Sequence, residues 1–227
     1  MNLFKLILLA AHAVREHGIV EVFRRAKCAL RPPAIPDDFD IKWGTDTASI
    51  VPKWSLQTKS PNQAFAARYQ PVGLHDISAG MGLVQRSAAD LTFIDLGSGK
   101  GRALILASKL GFSKVVGVEF ASDLVEIARD NLRLAAVDNA TTTHGDAMEY
   151  IFPPGNFLLF LYNPFGPEVL RPVLSNLAQA IDAEPGRDVY LMYANPQHAD
   201  LVDLARNLER LGSPSDRSDI IVWRSVT

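Results

Sequence analysis

Downstream of Leu91 the chain switches repeatedly between two hydrophobic periods. Short runs rich in β-branched and aromatic residues, LTFIDL (91–96), KVVGVEF (114–120), TTTHGD (141–146), FLLFLYN (157–163), DVYLMYAN (188–195) and DIIVWRSV (219–226), read as strands. Between most of them, apolar residues recur at helical spacing over 102–110, 122–136, 168–183 and 197–211. Strands alternating with helices predict an α/β domain with a doubly wound, mostly parallel sheet and right-handed crossovers. A partner for the last run is doubtful near 208–211, so the pattern allows six strands or seven. In such sheets ligands gather beyond the carboxyl ends of the strands, near the point where strand order reverses.

The region before this core divides in two. Residues 1–31 open with MNLFKLILLAAHAV, in which Leu3, Ile7, Ala11 and Val14 follow helical spacing and Phe4 and Leu8 widen the stripe. Ala11-His12-Ala13 imitates a signal-peptidase site poorly, because Lys5 stands inside the apolar stretch. The run also falls short of the ~20 residues that span a bilayer. An amphipathic helix is expected, continued by VEVFRRAKCAL after a break near Gly18, with Lys5, Arg15, Arg24, Arg25, Lys27 and Arg31 outweighing Glu16 and Glu21. It could lie on a membrane surface or bind a partner; packing on its own domain or on a second subunit, with the charges solvated, is the favoured reading. Residues 32–90 are proline-punctuated up to Pro71 and carry Phe39, Trp43, Trp54, Phe65 and Tyr69, too many aromatics for a solvated linker. They read as an irregular wrap or lid leading into the core domain of residues 91–227.

Composition narrows the function. The 227 residues, 48% hydrophobic and 21% charged, suit one sizeable domain with an extension. A net charge of -2 and a pI near 6.2 supply no overall basic field and speak against nucleic acid as the default partner. The one cysteine, Cys28, cannot close an intramolecular disulfide, and no cysteine cluster offers a Cys-rich zinc site, which fits a reducing, cytoplasmic setting.

Candidate chemistry sits at the predicted strand ends. Asp95-Leu96-Gly97-Ser98-Gly99-Lys100-Gly101-Arg102 follows the first strand and opens a helix. Glycines 97, 99 and 101 permit a tight turn and remove the Cβ atoms that would block a ligand against the backbone. A phosphate loop requires Ser or Thr after its Gly-Lys pair, and here Gly101 follows. The dinucleotide fingerprint fails because the third glycine arrives one residue early and Asp95 precedes the loop. What remains is a nucleoside with a cationic amino-acid tail, or glycines of purely structural use. Glu119 ends the second strand run, where a carboxylate can accept from both hydroxyls of a ribose, and Asp146 ends the third in HGDA. Each alone is more often a helix cap or a solvated acid; in this order at successive strand ends they point to one site.

At DLGSGKGR, VVGVEF, GDA and YNPFG the sequence resembles the class I S-adenosylmethionine-dependent methyltransferases, over roughly Leu91 to Thr227. The resemblance implies a Rossmann-like sheet and S-adenosyl-L-methionine as cofactor. Asp95 with Gly97, Ser98, Gly99 and Gly101 would hold the methionine moiety, Glu119 with Phe120 the ribose, and Asp146 with Ala147 the adenine. The glycine loop together with upstream Tyr69-Gln70-Pro71 looks most like the non-SET lysine methyltransferases, in which the tyrosine segment folds over the cofactor, and Tyr69 is assigned that role. Related enzymes that methylate amino groups place an Asn-Pro pair after the fourth strand beside the activated methyl. Asn163 and Pro164 take that position here, with Phe165 as a wall that excludes water. Methyl transfer from a sulfonium needs a neutral nucleophile held in line, so Asn163 would aim a nitrogen lone pair.

The sequence departs from the Asn-Pro-Pro-aromatic form of that motif, because Phe165 and Gly166 follow Pro164. Adenine in nucleic acid becomes a weaker acceptor on that ground, and protein lysine is preferred by resemblance. A small-molecule N- or O-methyltransferase is the enzymatic alternative, His144 and His198 being bases by residue type only; a cofactor-binding scaffold without turnover is the other. The second pair, Asn195-Pro196, is read as the start of a helix.

Overall fold

The computed structural model describes residues 36–49, 73, 76–215 and 219–226, which belong to one compact unit, Pro36–Thr227. The helix expected over 1–31, with its membrane or self-association roles, lies outside the described residues, as does Tyr69.

Seven strands form one sheet. They are β1 (Thr92–Leu96), β2 (Lys114–Glu119), β3 (Ala140–His144), β4 (Phe157–Tyr162), β5 (Val189–Ala194), β6 (Leu208–Gly212) and β7 (Ile220–Ser225), in the order β3-β2-β1-β4-β5-β7-β6. The first five run parallel, and β7 enters antiparallel between β5 and β6. Strand order reverses between β1 and β4, so the loops leaving these two strands open onto the same crevice.

The helices among the described residues are α1 (Asp38–Trp43), α2 (Asp76–Met81), α3 (Arg102–Lys109), α4 (Ser122–Leu134), α5 (Pro167–Ala183) and α6 (Ala199–Asp203). Both faces of the sheet are buried at its centre, which is why β4 reads as continuous apolar sequence. Phe157, Leu159 and Leu161 belong to a core with Val169, Leu170, Val173 and Leu177 of α5. Leu158 and Phe160 point to the opposite core, with Ile77 of α2 and Leu104 of α3. Close packing there needs small residues: a methyl on Gly80 would stand 2.4 Å from Met192 Cε, and one on Gly117 2.7 Å from Leu104 Cδ1. Described residues ahead of Leu91 therefore share the core of the strands that follow.

One element differs from its expectation. The helical spacing over 197–211 gives only the five-residue α6, after which the chain turns and enters β6. Leu208 and Leu211 keep helical spacing, three residues apart, yet the segment is short enough to serve as a strand or a helix end. Pairing with β7, whose backbone would otherwise form an open edge, decides between them. Leu204 is 79% exposed, so the helical stripe has no core to face beyond α6. Asn207 Nδ2 donates to Asp182 Oδ1 of α5 at 2.7 Å and fixes the turn.

Candidate functional site

The glycine loop begins where β1 ends. Gly97, Gly99 and Gly101 have φ of 90°, 52° and 82°, the left-handed region that disfavours side chains. The N–H groups of Gly97 and Ser98 both donate to Val118 O of β2, at 2.8 and 3.1 Å, which folds the loop back over the sheet end. A methyl on Gly97 would stand 2.5 Å from Pro164 Cβ, so the loop after β1 and the Asn-Pro loop after β4 touch across the switch point.

Two buried carboxylates flank this turn. Glu119, at the end of β2 and 4% exposed, accepts from Gly99 N at 2.9 Å through Oε2 and from Ala121 N at 3.0 Å through Oε1. Burial pushes its carboxyl up to about 7 against the pull of these donors. Asp95 is equally buried, yet among the described residues no donor reaches its carboxylate. Burial, and then the neighbouring Glu119, push it up to about 8. A carboxylate kept from water with no protein partner fits a ligand that brings its own cation or donors. This donor set suits the amino-acid tail and ribose of the cofactor that the motifs imply.

Asp146 follows β3, whose His144 is paired with Glu119. Its Oδ1 accepts from Met148 N at 3.0 Å and caps the single 3-10 turn Ala147–Glu149, with Ala147 packed against the core. Phe120 is half-buried beside Ala121 and Leu124, and its carbonyl lies 3.0 Å from His144 Nε2. The glycine loop and the acids thus stand at the ends of β1, β2 and β3, with Glu119 bonded to the loop through Gly99 N and Asp146 to Met148 N.

After β4, Asn163 turns the chain with a φ of 42°. Its Oδ1 accepts from the phenol of Tyr193 in β5 at 3.2 Å. Phe165 is 8% exposed and belongs to the buried cluster of Leu161, Val169 and Tyr193, so its ring anchors the loop in the core. Asn195, the matching residue after β5, also has positive φ, 49°, and its N–H donates to Asp219 O at 2.7 Å.

Several residues that shape the site had no role assigned from the sequence. Lys100, within the glycine loop, is fully buried; its ammonium pairs with Asp46 Oδ1 at 2.9 Å and also contacts Ser49 Oγ. Arg102 pairs with Asp37 Oδ2 at 2.6 Å and lies over the Phe39 ring. Asn131 of α4 donates to both Asp46 O, at 3.1 Å, and Lys100 O, at 2.9 Å, and accepts from Asp46 N. A strap of residues 36–49 is therefore fastened to the glycine loop and to α4. The strap is itself organised by Asp40, whose carboxylate accepts from Thr45 Oγ1, Thr47 N, Thr47 Oγ1 and Ala48 N at 2.7–2.9 Å. Burial raises the Asp40 carboxyl, but these donors outweigh it and hold it below its usual value.

Residues 93–183 match the family model described as "Methyltransferase domain". The chain is 36% identical over 63 residues to the ribosomal protein L11 methyltransferase of Clostridium perfringens, covering 28% of this chain and 20% of the relative. It is 32% identical over 74 residues to the release factor glutamine methyltransferase of Aliivibrio fischeri, covering 32% and 26%. The chain thus spans about a fifth to a quarter of these curated relatives. Among solved structures, the fold is similar to that of the T. thermophilus 16S rRNA N2 G1207 methyltransferase in complex with AdoMet and guanosine, with a TM-score of 0.50 at 20% identity over 70% of this chain and 44% of the other.

Proposed function

From the premise that the chain carries a methyltransferase domain of the class I, S-adenosylmethionine-dependent kind, we propose that it transfers a methyl group to an acceptor nitrogen, with a protein side chain as the preferred acceptor. The observation that carries this reading is Asn163, a neutral amide set at the end of β4 by a left-handed turn, beside a proline in contact range of the glycine loop.

S-adenosylmethionine supplies an electrophilic methyl on a sulfonium whose sulfur leaves readily. Asp95 accepts the α-ammonium of its tail, and the loop glycines admit the tail to the backbone. Glu119 offers its remaining lone pairs to the ribose hydroxyls, and Asp146 with Ala147 borders the adenine. Asn163 accepts from an N–H of the acceptor and so directs the nitrogen lone pair; the carbonyls around Pro164 complete that set. Positioning of this kind is the main catalytic requirement of an in-line displacement. Pro164 and the anchored Phe165 keep the loop rigid.

A protein acceptor is supported by the two curated relatives, one a ribosomal protein methyltransferase and the other a release factor methyltransferase. Lysine in particular rests on the Tyr69 and glycine-loop resemblance alone. The expectation against nucleic acid is not retained as an exclusion, since the structural neighbour is a 16S rRNA methyltransferase. Incubating the full chain with S-adenosylmethionine labelled in the methyl group and an extract separated into protein, nucleic-acid and small-molecule fractions tests the proposal. Label is expected in the protein fraction and should fall by roughly 10²-fold with Asn163→Ala while S-adenosylhomocysteine still binds. Full transfer by Asn163→Ala would remove Asn163 from the mechanism, and label confined to RNA would replace the acceptor.

A further inference from the structure

Tyr193 is a buried phenol of β5 that no motif singles out. It is 1% exposed and belongs to the same buried cluster as Leu161 and Phe165. Its hydroxyl donates to Asn163 Oδ1 at 3.2 Å. Burial raises the phenol to about 12, so it stays protonated throughout the neutral range and remains a donor.

An amide at the end of a strand has two orientations that exchange its oxygen and its NH2. Were Asn163 to present its NH2 to Tyr193, the phenol would become an acceptor and its own hydrogen, in a buried position, would lose the acceptor it has in Asn163 Oδ1. The need of the buried phenol hydrogen for an acceptor thus decides the orientation of the amide. One lone pair of Oδ1 is taken by Tyr193, which leaves the second for a donor at the crevice. We infer that Tyr193 is a positioning residue that locks the Asn163 amide with its carbonyl oxygen as the group presented to the acceptor, and thereby selects nucleophiles that carry an N–H over anionic oxygen nucleophiles. This rests on the role given to Asn163 above and deepens it. A phenolate or carboxylate brought to the same point would meet a carbonyl dipole of the wrong sign and have no hydrogen to give.

The test needs no knowledge of the acceptor. Sinefungin bears an amine where S-adenosylmethionine has its sulfonium methyl, so its preference over S-adenosylhomocysteine reports on acceptors aimed at the methyl position. Calorimetry would compare both ligands on the full chain and on Tyr193→Phe, Asn163→Ala and the double variant, with labelled transfer into the extract as a second readout. Tyr193→Phe removes one oxygen and keeps the ring, and S-adenosylhomocysteine affinity within twofold shows an intact fold. The expected result is a sinefungin preference reduced about tenfold by Tyr193→Phe, the size of one hydrogen bond to a charged group, with a parallel fall in transfer. In the Asn163→Ala background, Tyr193→Phe should then change nothing further.

An unchanged preference in Tyr193→Phe, where Asn163→Ala lowers it, overturns the positioning role and leaves the reading of Asn163 standing. Additive losses in the double variant also overturn it, because they give Tyr193 an effect that does not pass through Asn163. If Asn163→Ala itself leaves sinefungin preference and transfer untouched, both readings fall.

Discussion

Gly97 is where two separate demands fall on one residue. Its φ of 90° disfavours any side chain, and a methyl there would stand 2.5 Å from Pro164 Cβ, well inside van der Waals contact. Pro164 has no flexible end to swing away, so the clash displaces the Asn-Pro loop or the glycine loop. Gly97→Ala is therefore expected to cost about 1–3 kcal/mol of stability and to abolish detectable S-adenosylhomocysteine binding. A thermal melt and calorimetry read the two effects; wild-type affinity would show that the loops do not meet as described. Glu119 is more selective, since its carboxylate already serves the backbone N–H groups of Gly99 and Ala121. Glu119→Ala should weaken S-adenosylhomocysteine by about tenfold or more, through lost ribose contacts and a loosened loop. Glu119→Gln, which retains one acceptor oxygen, should lose less. Equal affinity in wild type and Glu119→Ala would mean that the ribose lies elsewhere.

Among the elements, the strap of residues 36–49 shows what local sequence can and cannot reveal. Glycines and acids at the ends of β1, β2 and β3 were legible because each lies within a few residues of the strand that positions it. Lys100 and Asp46 are 54 residues apart, and Asp46 and Asn131 are 85 apart, so no window contains either pair. Lys100 read only as half of a Gly-Lys pair that Gly101 keeps from completing a phosphate loop, and Asn131 carried no reading at all. Strand β6 was ambiguous because Leu208 and Leu211 keep helical spacing, and pairing with β7 settled it. Phe165 was legible as a type, an aromatic after Asn-Pro, but not in the direction of its ring. The strap makes its own prediction. Asp46 is half-exposed while Lys100 is buried, so the cost of Asp46→Ala should fall between the ~1 kcal/mol of an exposed pair and the ~3–5 kcal/mol of a buried one. Lys100→Met in the same background should recover part of it, because no ammonium then remains in the core. Hydrogen exchange at Gly99 to Gly101 should rise in Asp46→Ala alone. Unchanged exchange there would mean that the strap does not brace the loop.

For the whole molecule, the buried acids tie stability, cofactor affinity and pH together with opposite signs. Asp95 and Glu119 titrate near 8 and 7 in the folded protein, against ordinary values of 3.8 and 4.5. Between those limits the folded state binds more protons than the unfolded one, so these two groups make stability fall as pH rises from about 4 through about 8. Asp40 and Asp188 have the reverse displacement, held low by hydroxyl and backbone donors and by Arg86 and Arg224 respectively. What they contribute is already complete above their ordinary value and is lost only in acid, so it is flat between pH 5 and 8. In that window the ligand-free protein should melt at progressively lower temperature as pH increases, and Asp95→Asn should flatten the trend. A cofactor that engages the Asp95 carboxylate with a cation reverses the preference, because it binds the ionised form. S-adenosylhomocysteine affinity should therefore improve by up to about tenfold per pH unit per linked proton below the folded value, and its stabilising effect should grow over the same range in which the free protein weakens. Calorimetry in buffers of different ionisation enthalpy would register protons released on binding at pH 6.5 and fewer at pH 8.5. Proton release that is absent at pH 6.5, with affinity independent of pH, would mean that the cation of the cofactor does not reach Asp95, and the buried carboxylate would need another partner.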